Sequence, residues 1–207
     1  MSSTRIENPQ SYTNSEPTWE VARLFPNQGS WSEEEYLAIN TNRLIEFSHG
    51  QLDVLSMPTH SHQAIVAYLY GVLLAFTQPL NLGTLLFAPL RLRLWPGKYR
   101  EPDLLFVLTE HSAKCGEEYW ESADLVVEVV SYDDRRRDIE IKRFEYARAG
   151  IPEYWIVDPQ RATISVLRLE SGKYIEHGVF GSGTKASSVL LAGFSVEVDA
   201  VLAHAKL

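Results

Sequence analysis

Only one cysteine, Cys115, occurs in the 207 residues of this chain. A lone thiol excludes an intramolecular disulfide and a thiolate zinc cluster, and it gives little sign of an oxidising compartment. Cys115 also lacks a visible partner for nucleophilic catalysis. There is no apolar run of about 18 residues, which excludes a membrane-spanning helix. The polar start MSSTRIENPQSYTNSEPT has no apolar core of the kind a signal peptide needs, so a cytoplasmic protein without a membrane partner is expected. Positive charge is scarce: 19 lysines and arginines stand against 27 acids, a formal net charge of −8. That balance excludes a chain that coats DNA through many phosphate contacts. Neither a Ser-His-Asp order nor a phosphate-cradling loop is present, since Gly181-Ser182-Gly183-Thr184 lacks the lysine of a P-loop. Internal repeats and low-complexity segments are absent too.

What is present reads as one α/β domain over residues 31–207, behind a partly disordered segment over 1–30. The hydrophobic content of 45% suffices for one substantial core. Ser32-Glu33-Glu34-Glu35 fits a capping box opening a short helix. A hairpin turn is expected at Ser48 to Gly50, with Glu46 just before it. His62 opens an amphipathic helix striped by Ile65, Leu69, Val72, Leu73 and Phe76, and His60 is assigned to the preceding loop. Leu85 to Trp95 reads as one strand, turning at Pro96-Gly97 into Tyr99 to Leu108. The strand Leu125 to Val130, the helix Arg135 to Ala149 with Asp133 or Asp134 near its cap, and the strand Tyr154 to Val157 form a β-α-β crossover. A parallel pair in a mixed sheet follows from it. A carboxyl-terminal meander spans Ile164 to Leu169 and Lys173 to Phe180, and Asp199 is placed as the cap of a final short helix.

Two acids stand where acids are costly. Asp103 heads the apolar run Leu104 to Leu108, and Glu128 sits inside Leu125 to Val130. An ionised carboxylate in such a run loses hydration worth several kcal/mol unless a cation or strong donors replace the water. Mg²⁺ is one such compensator, because hard cations take one or two carboxylates plus water and phosphate oxygens. A buried arginine or lysine is the other, and for either acid alone both remain open. On the following helix, Ile139, Lys142 and Tyr146 share one face at i, i+3, i+7. Lys142 therefore points with apolar residues, from where it either reaches a neighbouring strand's carboxylates or packs its stem on the sheet.

The order Pro102-Asp103, then Glu128 in an apolar strand, then a lysine resembles the PD-(D/E)XK nuclease superfamily. The stretches ADLVVEVVS and RRRDIEIKRFEYARAGIPEYWIVDP resemble its branch of restriction endonucleases with many bacterial paralogues. The resemblance runs from about Ser32 to the end and is strongest over Asp124 to Pro159. It implies a restriction-endonuclease-like mixed central sheet flanked by helices, and a DNA endonuclease using Mg²⁺, with Mn²⁺ as a substitute. It also implies that Asp103 and Glu128 bind the metal, that the Val129 main-chain carbonyl adds a ligand and that Lys142 serves the nucleophilic water. In the general pattern the lysine follows the acid by two residues, where this chain has Val130; in this branch it has moved to the next helix.

Superfamily members often carry an accessory acid in the first core helix, but this helix has none between His60 and Gln78. Glu46 and His62 are the candidates for that role, against a strand-end ion pair and a helix-start residue respectively. Arg91, Arg93, Lys98 and Arg100 form one prospective basic face. Arg135, Arg136, Arg137, Lys142, Arg143 and Arg148 form another, nearly cancelled by neighbouring acids. Weak or transient DNA binding is therefore expected, with a homodimer as the assembly suggested by analogy. The alternatives are a catalytically silent nuclease-fold module that binds DNA or a protein partner, and a glycoside hydrolase pairing Glu46 with Glu128.

Overall fold

The computed structural model describes residues 25–41, 43–131 and 135–206. Asp133 and Asp134, the expected helix-cap candidates, and residues 1–24 lie outside them. A six-stranded mixed sheet forms the centre, in the order β10-β9-β8-β7-β6-β3. Its strands are β3 (Gly83–Phe87), β6 (Leu104–Leu108), β7 (Leu125–Val129), β8 (Glu153–Asp158), β9 (Thr163–Glu170) and β10 (Lys173–Phe180). As expected of a β-α-β crossover, β7 and β8 are parallel, whereas the other pairs are antiparallel. A four-stranded sheet lies beside it, formed by β1 (Ile45–Ser48), β2 (Gln51–Val54), β4 (Leu92–Trp95) and β5 (Lys98–Arg100) in the order β2-β1-β5-β4. A small pair, β11 (Lys185–Ser187) and β12 (Ser195–Glu197), completes the strands.

Alternation along the central strands supplies two cores. Leu104, Phe106, Leu125 and Val127 pack with Ile65, Leu69 and Leu73 of helix α2 (His60–Thr77). On the other face Leu105, Val126, Tyr154 and Ile156 pack with Tyr146 and Ala147 of α3 (Lys142–Ala149). Each fully buried leucine or phenylalanine contributes roughly 1.5–3 kcal/mol, so both helices are fixed to the sheet by their apolar faces. Val72 and Phe76, also assigned to the stripe of α2, are only partly buried. The capping box forms at α1 (Glu33–Leu37): Ser32 Oγ accepts from Glu35 N, and the Glu35 carboxylate accepts from Ser32 N. The hairpin turn falls where expected, at His49 and Gly50, both with positive φ, as a two-residue turn between antiparallel strands requires.

Five expectations are corrected. Leu85 to Trp95 is two strands, β3 and β4, in different sheets. Pro89, which has no N–H to donate, lies between them. Their partner arm divides likewise, into β5 and β6, with Glu101-Pro102-Asp103 as the joint. His60 is the first residue of α2, because Thr59 caps the helix by accepting from His62 N. The helix expected from Arg135 is not α-helical throughout, since Arg137–Ile141 form a π turn before α3. Asp199 does not occupy the cap of the last helix, α4 (Val198–Ala203); it lies in the first turn and accepts from Gly183 N at 2.7 Å. No helix among the described residues is long and apolar enough to cross a membrane.

Candidate active site

Asp103 lies just before β6, and β6 pairs with β7 as Leu104↔Val127, Leu105↔Val126 and Phe106↔Leu125. Continuing that register by one residue sets Asp103 opposite Glu128. Both line one cavity of about 320 Å³, shared with His62, Glu101, Arg137 and Lys142. The amino end of α2 and the helix after β7 both reach this end of the two strands, His62 from one and Lys142 from the other, so residues distant in sequence converge there.

The two carboxylates are held differently. Asp103 Oδ2 accepts from Val129 N at 2.7 Å and lies 3.2 Å from His62 Nε2. Burial pushes the His62 imidazole down, but its hydrogen bond to Asp103 and the charges of Asp103 and Glu128 outweigh that and raise it. Its Nδ1 is buried without a hydrogen-bond partner among the described residues. Glu128 Oε1 accepts from Tyr146 Oη at 2.6 Å and lies 2.8 Å from Lys142 Nζ. Lys142 and Tyr146 are four residues apart on α3, hence on one face. Burial first, then the Glu128 charge, raises the Tyr146 phenol well above its ordinary range, so it stays a proton donor.

Behind Lys142 stands Glu46, 3.7 Å from its Nζ and completely buried. Arg100 Nη1 and Arg137 Nη2 both donate to Glu46 Oε2. Burial alone would raise this carboxyl, but Lys142, Arg100 and Arg137 hold it down at about 2. Glu46 is not among the cavity-lining residues. It contacts three cations, of which Arg137 and Lys142 line the cavity. A carboxylate outside the cavity and engaged by three cations is not placed to exchange a proton with a ligand there, so this geometry gives the Glu46–Glu128 acid-base pair of the glycosidase reading no support.

Among the described residues no group of three His, Cys, Asp or Glu side chains could hold a metal ion. Two opposed carboxylates lining one cavity do match the one or two that Mg²⁺ takes from protein, leaving the rest to water and phosphate. The donor set therefore fits a hard divalent ion, though not a soft or thiolate-seeking one.

The family Uma2, described as "Putative restriction endonuclease", matches residues 32–200. The chain belongs to the Uma2 family. Divalent metals serve restriction-endonuclease-like families generally, and a nucleic acid is the substrate class that nuclease membership suggests. A crystal structure from Anabaena variabilis, titled as a "putative nuclease belonging to DUF820", shares the fold with a TM-score of 0.71 at 16% identity. The match covers 87% of this chain and 99% of that one. No curated protein matches the chain.

For this Uma2 protein, two features of the site escape reading from sequence. Glu101, two residues before Asp103, is 7% exposed, and its Oε2 is buried without a hydrogen-bond partner among the described residues. Burial, aided by the charge of Glu46, pushes its carboxyl up to about 7 despite Arg91. The i, i+2 spacing on an extended joint was the available signal. Because the folded value lies above the unfolded one, the stability Glu101 permits is present below about pH 4.5 and is lost as pH rises through 7. With divalent ions removed by EDTA, Glu101→Gln is expected to be more stable than the wild type at pH 8, by at most about 3 kcal/mol. The difference should vanish below pH 4.5. Urea melts of both proteins at pH 4.5, 6 and 8 measure it, and a pH-independent difference contradicts it.

The basic faces are the second feature. Lys98 and Arg100 are buried and paired to Glu145, with contacts of 2.6 Å and 2.7 Å respectively. Arg93 pairs with Glu33 and Glu121, and Arg91 with Glu101. On the helix side, Arg135 pairs with Asp158, Arg136 with Glu140, and Arg148 stacks over Trp95. The first set is therefore not the exposed DNA-binding face expected of it, because long-range acids neutralise it within the fold.

Proposed function

We propose that this Uma2 protein is a Mg²⁺-dependent endonuclease that hydrolyses DNA phosphodiester bonds. The observation that carries the reading is the opposition of Asp103 and Glu128 across β6 and β7, with Lys142 in the same cavity. Asp103, Glu128 and the Val129 carbonyl would hold the ion, with Mn²⁺ as a working substitute. When bound, Mg²⁺ neutralises phosphate charge and lowers the pKa of coordinated water. His62 and the Val129 amide fix the orientation of Asp103, while Tyr146 fixes that of Glu128. Lys142, held between Glu128 and Glu46, orients the nucleophilic water and offsets charge developing on the phosphate. Since so many cations are paired internally, contacts to the DNA backbone are few and binding is weak and transient.

The test is nicking of supercoiled plasmid with Mg²⁺ or Mn²⁺. Wild-type protein is expected to nick it, EDTA to stop it, and Asp103→Asn to slow it by at least about 100-fold, the scale of losing an anionic ligand that orients the reacting groups. If wild-type protein fails to cut supercoiled, linear and single-stranded DNA with either ion, the reading falls and the catalytically silent binding module takes its place.

A further inference from the structure

The π turn does more than lengthen the helix after β7. In an α-helix, positions five apart diverge by roughly 140° around the axis, so Arg137 and Lys142 would face apart. Here the Lys142 amide donates to the Arg137 carbonyl, the i→i+5 bond of a π turn, which returns Lys142 to a place above Arg137. Both side chains line the cavity and both contact Glu46. Such single-turn insertions recur where a helix must aim a functional group.

The guanidinium of Arg137 is less completely engaged than its neighbours. Its Nη2 is shared between Glu46 and Asp53, and the Asp53 contact, at 3.3 Å, involves a carboxylate that is half exposed. An exposed pair of this kind is screened and worth little. Glu46 divides one negative charge among Arg100, Arg137 and Lys142. Arg137 Nε is buried with no hydrogen-bond partner among the described residues. A planar donor fork lining the cavity, its charge divided between two acids and one N–H without a partner among the described residues, has the geometry that takes a phosphate oxygen.

We propose that Arg137 is a phosphate-binding residue of the cavity, taking a non-bridging oxygen of DNA backbone phosphate while Lys142 serves the reacting group. This rests on the nuclease reading for its substrate class. It also assigns Glu46 its purpose, which is to hold two cations on one side of the cavity without reaching the substrate. Asp53 becomes the pair that substrate phosphate displaces.

The experiment is fluorescence anisotropy of a labelled DNA duplex in EDTA across a NaCl series, so that binding is read apart from cleavage. Arg137→Gln is expected to bind about tenfold more weakly, with the slope of log K against log salt smaller by about 0.9, the signature of one lost phosphate contact. A structural ion pair alone would not change that slope. Arg148→Gln, at a residue that stacks over Trp95 and does not line the cavity, is expected to keep both affinity and slope. Should Arg137→Gln melt well below the wild type, Arg137→Lys decides: it keeps the charge but loses the fork, and about threefold or more weakening at a native melt is expected. Wild-type affinity and slope in the folded Arg137 variant overturn the proposal, as does a wild-type protein that binds no duplex. Wild-type binding without cutting under Mg²⁺ or Mn²⁺ sinks the hydrolysis reading alone, and the slope still decides Arg137.

Discussion

Glu128→Gln is expected to lower single-turnover plasmid nicking at least 10³-fold with Mg²⁺ while leaving the protein folded. A 10³-fold loss is about 4 kcal/mol of transition-state stabilisation, which is what removing one of the two proposed anionic ligands asks of the site. Glutamine has the shape of glutamate, so Tyr146 Oη still finds a carbonyl oxygen at the position of the present acceptor. Lys142 loses its 2.8 Å anionic neighbour but keeps Glu46 at 3.7 Å. The buried ammonium is therefore not stranded, and the melting temperature should fall by only a few degrees. The fold and the chemistry separate in this variant, which makes it decisive. Activity within tenfold of wild type in a natively melting Glu128→Gln protein would show that hydrolysis, if present, is done elsewhere.

Much of this site was legible because its chemistry is expensive. An acid within Leu125 to Val130 has few ways to be stable, and an acid heading Leu104 to Leu108 has few more. The register of β6 and β7 then needed only an antiparallel pairing to bring them together. Lys142 was legible through its spacing to Tyr146, because the π turn ends at Ile141 and leaves α3 itself regular. Arg137 was not, since α-helical periodicity turns it away from Lys142, and nothing local in RRRDIEIK announces an inserted residue. Long-range pairing was equally hidden. Lys98 and Arg100 flank the buried Tyr99 on a three-residue strand, and their partners Glu46 and Glu145 lie far away in the chain. Read along the sequence, they look like surface charge. The split of Leu85 to Trp95 into two sheets has the same origin: the run stays apolar across Pro89, from Leu85-Leu86-Phe87-Ala88 to Leu90, and the packing of two separate cores takes Leu85 into one and Leu92 into the other.

The largest effect on stability is expected at Glu46. Breaking a buried ion pair by removing one partner costs about 3–5 kcal/mol, because the surviving charge stays desolvated. Glu46→Gln leaves three cations to their second partners: Arg100 to Glu145, Arg137 to Asp53 and Lys142 to Glu128. Those partners soften the loss toward about 3 kcal/mol, which for a chain of this size is a fall of roughly 6–12 °C in Tm at pH 7. The pH dependence separates this account from simple loss of packing. The folded carboxyl lies at about 2 and the unfolded one at its ordinary value near 4.5, so the contribution of Glu46 is complete above pH 4.5 and fades as pH falls toward 2. Wild type and Glu46→Gln are therefore expected to differ most at neutral pH and to converge as acid protonates Glu46 in both states. Urea unfolding of the two proteins at pH 7, 4 and 3 measures the convergence. A difference that stays constant down to pH 3 would mean that Glu46 contributes shape and hydrogen bonds rather than charge, and that Lys142 and Arg137 are held in the cavity by something other than their shared counter-ion.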